Sequence, residues 1–296
     1  MKTKRIERKE IISRLKKSLQ EKRPIIGAAC SLGIVSKCTE LAGADLVIAY
    51  GPERALSMGF PMLIADDSKF TPAWLSWLAS RAMVGLENPN KATIEIGREI
   101  MLVSKDIPII AGVAANDPVS RLEKVLEDVV EAGFSGVINF PTLGPDPLGR
   151  TMYSSYGFSF QREIEMLKMA RELGLFTMGY VFSPQDAKAV VECGVDAIVA
   201  DVDWDRVRGA RKGDERLQEI QAICEVALNE RPDIILLAHD RGAEDVADTQ
   251  ELYENTKIVG FVGSICFEKN LIERGVTGMV RALKDVQIKG KGERYG

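Results

Sequence analysis

Several polar residues of the chain stand directly after short apolar runs, and His239 is the most informative of them. His239 is the single histidine and follows the run at residues 234–238. An imidazole has an unperturbed pKa of about 6.5, so it can act as a general acid, a general base or a ligand. We therefore predict a catalytic role for His239. A structural role, which is common for a lone histidine, is the alternative.

Asp201 and Asp203 stand at the end of another apolar run, residues 197–201. In an extended chain, residues two apart point to the same side, so the two carboxylates can act together. Carboxylates are hard oxygen ligands that suit Mg²⁺, which is the candidate cofactor, and no organic cofactor is predicted. Asp201 is also a candidate catalytic residue. An aspartate that caps the next helix, beside a solvated neighbour, explains the pair equally well.

Asn139 and Thr142 flank Phe140 and Pro141, after the run at residues 136–140. An amide and a hydroxyl in this position can hold an oxyanion or a carboxylate without adding charge. The proline stiffens the turn that directs them. We predict a catalytic role for Asn139 and a substrate-binding role for Thr142. Turn chemistry alone is the alternative.

Further substrate-binding candidates follow other runs. Tyr50 and Arg54 offer a phenol and a planar guanidinium that suit a carboxylate or a phosphate, and a surface salt bridge is the alternative for Arg54. Gly263 and Ser264 stand where backbone N–H groups can approach a phosphate, or where chains pack tightly. Asp117 precedes a helix pattern at residues 120–132 and is predicted to be its N-cap, with a catalytic role as the alternative.

These residues need a framework that brings strand ends together. Eight apolar runs alternate with helix-period segments, which is typical of a single (β/α)8 TIM barrel with its site at the carboxyl ends of the strands. Gly43, Gly133, Gly174 and Gly194 follow helix patterns and predict left-handed helix ends. The runs are residues 24–30, 45–50, 107–113, 136–140, 175–181, 197–201, 234–238 and 258–263.

Three segments lie outside the repeating unit. A long connection after the second strand carries Trp74 and Trp77 and is either a lid or a small helix that packs on the barrel or forms a subunit contact. Another long connection spans residues 141–160. A helix predicted at residues 7–20 closes the bottom of the barrel or contacts a neighbour. Because the tryptophan segment and this helix offer apolar surface, we predict a homo-oligomer.

The composition favours one globular domain. The 296 residues are 46% hydrophobic and can form a single barrel domain over 1–288, followed by a flexible tail, 289–296. A net charge of −4 argues against binding to nucleic acid. Five cysteines without CxxC spacing indicate reduced thiols and a cytoplasmic location. No secretory signal or membrane span is predicted.

Short motifs along nearly the whole chain carry a resemblance to a known family. They are Cys38-Thr-Glu40, Gly43-Ala-Asp45, Tyr50 with Arg54, Ala111-Gly-Val113, Asp117-Pro118, Asn139-Phe-Pro-Thr142, Tyr180-Val-Phe182, His239, and Gly260-Phe-Val-Gly263 with Glu268. In this order they resemble the phosphoenolpyruvate hydrolase-like TIM-barrel family, which is related to the phosphoenolpyruvate mutase and isocitrate lyase barrels. The resemblance also makes Tyr180 a substrate-binding candidate.

The chain departs from the family pattern at several strand ends. Cys30-Ser31-Leu-Gly33 replaces a glycine-rich segment, Asp201 replaces a histidine, and Ile265 with Cys266 replaces a serine pair. The resemblance implies an enzyme that acts on a small phosphorylated or carboxylated acid, a small anionic ligand, by C–O, P–O or C–C cleavage. The departures keep open the alternative of a non-catalytic ligand-binding or interaction protein on the same barrel.

Overall fold

A computed structural model describes residues 5–51, 54, 88–145, 147–202, 214–239, 246–264 and 266–286. Eight parallel strands pair in chain order and close into a barrel, which confirms the predicted TIM barrel. Every predicted strand is present, with bounds that lie inside the predicted ones. The strands are β1 (Ile25–Ala29), β2 (Leu46–Ala49), β3 (Ile109–Gly112), β4 (Gly136–Ile138), β5 (Phe176–Val181), β6 (Ala197–Ala200), β7 (Ile235–Ala238) and β8 (Gly260–Gly263).

The described helices are α1 (Arg8–Gln20), α2 (Gly33–Leu41), α3 (Pro89–Val103), α4 (Leu122–Ala132), α5 (Pro147–Ser154), α6 (Phe160–Glu172), α7 (Pro184–Glu192), α8 (Asp214–Glu230), α9 (Val246–Asn255) and α10 (Lys269–Lys284). Gly133, Gly174 and two other predicted glycines have positive φ, so the predicted left-handed helix ends are confirmed. The predicted long connection at 141–160 contains α5. Trp74, Trp77 and the tail at 289–296 lie outside the described residues.

Alternation along the strands divides their side chains between an inner layer and the helix layer. Residues two apart on a strand face the same way. Tyr50, Tyr180 and Val199 belong to the inner cluster. Val137 belongs instead to the cluster beneath the helices. A residue two positions beyond the last of these strand residues therefore faces the same layer. This alternation decides which side chains at the strand ends face the barrel interior.

Helix α1 closes the amino-terminal end of the barrel. Ile11 and Leu15 are fully buried in the inner cluster, with 0% and 1% exposure. The Arg8 guanidinium donates two hydrogen bonds from Nε and one from Nη2 to the Asp196 carboxylate, just before β6. Of the two predicted roles for this helix, the structure supports the closing one. Its two buried apolar residues are therefore not available for a neighbouring copy.

Helix α10 is the one described helix whose side chains remain uncovered. Every residue from 271 to 286 is exposed. Apolar residues recur on one side of it at spacings of three and four: Ile272, Val276, Met279 and Leu283, which are 38–64% exposed. No described helix is both long and apolar enough to cross a membrane.

Candidate active site

A hydrogen-bonded chain of three side chains lies at the carboxyl ends of β2, β5 and β7. The Tyr50 and Tyr180 hydroxyl oxygens are 3.0 Å apart, and the Tyr180 hydroxyl is 3.1 Å from Nδ1 of His239. Both tyrosines are buried, whereas His239 is partly exposed. His239 is therefore the member of this Tyr–Tyr–His chain that is nearest to solvent.

Aromatic rings surround the Tyr–Tyr–His chain. The Phe140 ring centroid lies 4.5 Å from that of Tyr50 and 5.7 Å from that of Tyr180. Phe182 stacks on Tyr180 at 6.3 Å. Gly112 leaves the space that the Tyr50 ring needs, because a Cβ there would lie 2.3 Å from Tyr50 Cδ1. The rings form an apolar surround that holds the two phenols in place.

Asp201 belongs to the same end of the barrel as His239. Its backbone N–H donates to the Val181 carbonyl at 3.0 Å, and the residue is 1% exposed. It continues the inner side of β6 after Val199, and the pairing of Ala200 with Ala238 places it beside His239 on the neighbouring strand. The register therefore brings together two of the predicted catalytic residues.

The predicted metal site is only partly described. Asp203 lies outside the described residues. Among the residues that the structure describes, no group of three or more histidine, cysteine, aspartate or glutamate side chains could hold a metal ion. Asp201 supplies one suitable oxygen donor, but the described donor set does not complete a Mg²⁺ site. We therefore assign no chemical step to a metal.

Asn139 and Thr142 do not join the Tyr–Tyr–His chain. Asn139 lies two residues after Val137 and faces the helix layer, where its Nδ2 donates to Glu163 Oε2 at 2.8 Å. Its Oδ1 accepts from the Tyr180 backbone N–H at 2.7 Å. The Thr142 hydroxyl donates to Glu163 Oε2 at 2.5 Å. The expectation that Asn139 converges with Tyr50 and His239 is thus not met, because strand alternation turns it outward.

Glu163, on α6, is a residue of this region that sequence reasoning missed. It is 0% exposed, and burial raises its pKa to about 7 although hydrogen bonds and the Arg150 charge act in the opposite direction. The sequence does contain a signal for this buried carboxylate. Glu163 falls on the apolar side of α6 together with Phe160, Ile164 and Leu167, and a carboxylate in such a position is rare unless it has partners.

The remaining candidates lie around the rim. The Arg54 side chain is 37% exposed and its Nη2 lies 3.9 Å from Glu95 Oε2, so the salt-bridge alternative is present in weak form. Ser264 continues the inner side of β8 and is 8% exposed. A Cβ at Gly263 would lie 2.6 Å from the rings of Phe261 and Phe267, which favours the tight-packing alternative there. The substrate-binding roles of Arg54 and Ser264 stay predictions.

Glu268 and Ser31 join the last and first strands of the barrel. The buried Glu268 carboxylate accepts the Ser31 backbone N–H at 2.7 Å and also the Ser31 hydroxyl. Ser31 is one of the residues that depart from the family pattern. Its hydroxyl is used within the protein, and it ties the start of α10 to the end of β1.

Comparison with known proteins identifies the family. A model described as "Phosphoenolpyruvate hydrolase-like" matches residues 74–286. The chain belongs to this family. A relative of this chain is the ToMV susceptible protein tm-1(GCR26) of Solanum lycopersicum. The two are 29% identical over 285 residues, which cover 94% of this chain and 36% of the tomato protein. The chain spans 36% to 44% of the length of the curated relatives it matches.

The fold of this chain is similar to the folds of several solved structures. Phosphonopyruvate hydrolase in complex with oxalate and Mg²⁺ has a TM-score of 0.56 and 18% identity, over 93% of this chain and 88% of that one. Phosphoenolpyruvate phosphomutase from Streptomyces platensis subsp. rosaceus has a TM-score of 0.57 and 12% identity, over 96% and 91% of the two chains. At such identities the likeness establishes the shared fold.

Proposed function

We propose that this chain is an enzyme that acts on a small phosphorylated or carboxylated acid by C–O, P–O or C–C cleavage at the carboxyl-terminal face of the barrel. The observation that carries the proposal is the Tyr50–Tyr180–His239 chain, which ends in a partly exposed imidazole. Membership of the phosphoenolpyruvate hydrolase-like family supports it. The oxalate bound by the related phosphonopyruvate hydrolase supports a small anionic ligand.

In this proposal His239 transfers a proton to or from the ligand. The hydrogen bond between Nδ1 and the Tyr180 hydroxyl fixes the orientation of the imidazole. Because a hydroxyl both donates and accepts, rotation of its O–H bond lets Tyr180 donate to Nδ1 of the neutral imidazole or accept from it when the imidazole is protonated, with Tyr50 as the second partner of the hydroxyl. Asp201, the other predicted catalytic residue on this side of the barrel, follows the neighbouring strand β6.

Binding of the acid requires positive charge at the rim. We propose that Arg54 meets a carboxylate or phosphate of the ligand, since its guanidinium is partly exposed and follows the carboxyl end of β2. Ser264 is a further proposed contact, whereas the predicted contact of Thr142, whose hydroxyl donates to Glu163, stays a prediction. A Mg²⁺ ion held by Asp201 and Asp203 would neutralise additional ligand charge, and this metal stays a proposal. The other rim guanidinium, Arg150, is already paired with Asp186 through two hydrogen bonds.

The second candidate function is a non-catalytic ligand-binding protein on the same barrel. One observation favours it: Asn139, Thr142 and Ser31 use their polar groups within the protein. Fewer side chains of the carboxyl-terminal face are then left to meet a transition state. This candidate keeps the pocket and its preference for a small anion but predicts no turnover.

Replacement of Tyr180 by Phe tests the proposed function. The variant removes the hydroxyl that orients His239 while it keeps the ring, so we expect kcat to fall about 10-fold or more with little change in stability. Assays use small phospho-acids and oxo-acids, with and without Mg²⁺, and calorimetry measures oxalate binding. Tyr156→Phe is the matched control, because Tyr156 is 77% exposed on the surface. Oxalate binding without turnover of any candidate acid would overturn the enzyme proposal in favour of the binding protein.

We also propose a homo-oligomer, in which a second copy covers α10. Helix α2 carries its own uncovered apolar stripe, because Ile34 and Leu41 are 64% and 77% exposed and Cys38 is exposed between them. These residues are four and three apart, so they share one side of α2. Its other side, at Ser36, packs on α3 through a hydrogen bond to Ser104. The stripe therefore faces the β8 side of the barrel, where the barrel pattern places the helix that follows β8.

Helix α10 and the α2 stripe belong to the same chain, but α10 does not cover the stripe within that chain. Two copies can satisfy both if each lays its α10 against the α2 stripe of the other, which gives a self-complementary two-fold interface. Burial of apolar area stabilises such a contact by about 25 cal/mol per Å². A second copy is therefore the proposed partner of α10. The homo-oligomer predicted from the sequence stays a prediction, with α10 in place of the N-terminal helix as its contact.

Charge placed on the apolar side of α10 is expected to dissociate the oligomer. The double variant Val276→Glu with Met279→Glu should be a monomer by multi-angle light scattering, because two carboxylates cannot be buried unpaired. Thr277→Glu is the control for charge, since it adds one carboxylate outside the apolar side of the helix. A bismaleimide that links Cys38 to Met279→Cys should give cross-linked dimers. Cross-links within one chain, or a monomeric parent protein, would contradict the proposal.

A cytoplasmic location is also proposed. No disulfide joins any two of the five cysteines, and Cys30 and Cys224 are buried. Free thiols persist in a reducing compartment. Localisation of a fluorescently tagged chain is the direct measurement.

A further inference from the structure

Glu163 is a buried carboxylate that collects hydrogen bonds from two loops at the carboxyl-terminal face. Its Oε1 accepts from Asn116 Nδ2 at 3.1 Å and from the Leu143 backbone N–H at 2.6 Å. Its Oε2 accepts from Asn139 Nδ2 at 2.8 Å and from the Thr142 hydroxyl at 2.5 Å. The four donors come from the segments after β3 and β4, so one side chain on α6 fixes both segments.

The hydrogen bonds continue from Glu163 to the Tyr–Tyr–His chain. Asn139 donates to Glu163 and accepts from the Tyr180 backbone N–H at 2.7 Å. Tyr180 is the central member of the chain, in contact with Tyr50 on one side and His239 on the other. Only Asn139 therefore separates the Glu163 carboxylate from the backbone that carries the Tyr180 phenol.

We infer that Glu163 is a positioning residue of the active site: through Asn139 it sets the placement of Tyr180, and through Thr142 and Leu143 it holds the turn that carries Phe140. The catalytic consequence of this inference rests on the proposed function, whereas the structural coupling does not. A carboxylate suits this task because it accepts several hydrogen bonds at once. A glutamine cannot replace it without a clash, since one end of its amide would direct N–H groups at other donors.

The ionisation of Glu163 gives the coupling a pH dependence. Burial raises its pKa to about 7, above the ordinary value of 4.5. The charged group that acts on it is Arg150 of α5, itself paired with Asp186 of α7, and its hydrogen-bond partners are neutral. A raised pKa means that the stability contributed by protonated Glu163 is complete below pH 4.5 and is lost as the pH rises through about 7. Over the same range the carboxylate forms and strengthens its hydrogen bonds to Asn139 and Thr142.

The Tyr180 amide reports this coupling without any ligand. The chain has six tyrosines, so ¹⁵N-tyrosine labelling gives a simple amide spectrum in which the Tyr180→Phe variant identifies the peak. An ionised Glu163 polarises Asn139 and makes its oxygen a better acceptor. The Tyr180 amide proton should therefore move downfield as the pH rises, with a midpoint near 7. In a His239→Asn background, which removes the imidazole that contacts the Tyr180 hydroxyl, Glu163→Gln should abolish this response. Glu165→Gln in the same background, on the exposed side of the same helix, should retain it.

The wild-type titration alone can overturn the inference, even if Glu163→Gln does not fold. A Tyr180 amide that shows no titration near neutral pH, or one that titrates equally in a folded Glu163→Gln variant, would exclude the coupling. With an active substrate, Glu163→Gln should lower kcat by up to about 100-fold with a smaller change in KM. A normal amide titration combined with no turnover of any acid would reject the proposed function while it leaves the positioning role intact.

Discussion

Replacement of His239 by Asn is expected to lower turnover by about 100-fold or more, while the fold is largely retained. Asparagine keeps the polarity and approximate size of the side chain, and its amide can still hydrogen bond to the Tyr180 hydroxyl. It cannot carry a proton to or from the ligand at neutral pH. The variant therefore separates proton transfer from positioning, and binding should suffer less than turnover.

Steady-state kinetics with phospho-acids and oxo-acids measure this effect, and oxalate calorimetry measures binding. Because the chain has one histidine, no second histidine can serve as the control. Circular dichroism and the thermal midpoint of the variant serve as the control, because they show whether the variant is folded. If turnover is unchanged in the folded variant, His239 has no part in the reaction.

Replacement of Leu15 by Ala is expected to lower the free energy of unfolding by about 3 kcal/mol. Leu15 is 1% exposed and lies with Ile11 in the inner cluster at the amino-terminal end of the barrel. Truncation leaves a cavity between α1 and the first layer of strand side chains, and the rigid ring of strands cannot collapse to fill it. The loss therefore includes both the transfer of the side chain and the cavity.

Urea denaturation followed by circular dichroism gives the two free energies. Lys9→Ala on the exposed side of the same helix is the control, with an expected change within about 0.5 kcal/mol. Equal midpoints for the two variants would mean that α1 unfolds separately from the barrel and does not close it.

The barrel could be predicted from the sequence because its signals are local. Apolar β-branched runs set the strands, and Gly133 and Gly174 set helix ends where only a left-handed backbone fits. The interpretation of Asp117 as a helix N-cap was wrong. Helix α4 begins at Leu122, and Asp117 accepts the Val119 backbone N–H in the turn before the helix, while its distant partners are Asn88 and Asn90 across the barrel rim. Those partners lie far away in the sequence, so no local pattern indicates them.

The direction of strand-end side chains could not be predicted in the same way. A parallel strand buried on both faces has no polar side, so its sequence does not say which residues face the interior. Asn139 was placed with His239 for this reason, although it faces α6. Glu163 was missed because its role depends on four donors from other elements.

The Tyr–Tyr–His chain joins residues that are 130 and 59 positions apart along the sequence. The chain cannot be complete in either half-barrel, because Tyr50 follows β2 and Tyr180 lies on β5, and these strands share one interior only after the ring of strands is closed. A folding intermediate with correct local βα units would therefore have every residue of the proposed site and none of its chemistry. Recovery of activity during refolding would time the closure of the ring itself, and would lag behind the recovery of helical structure.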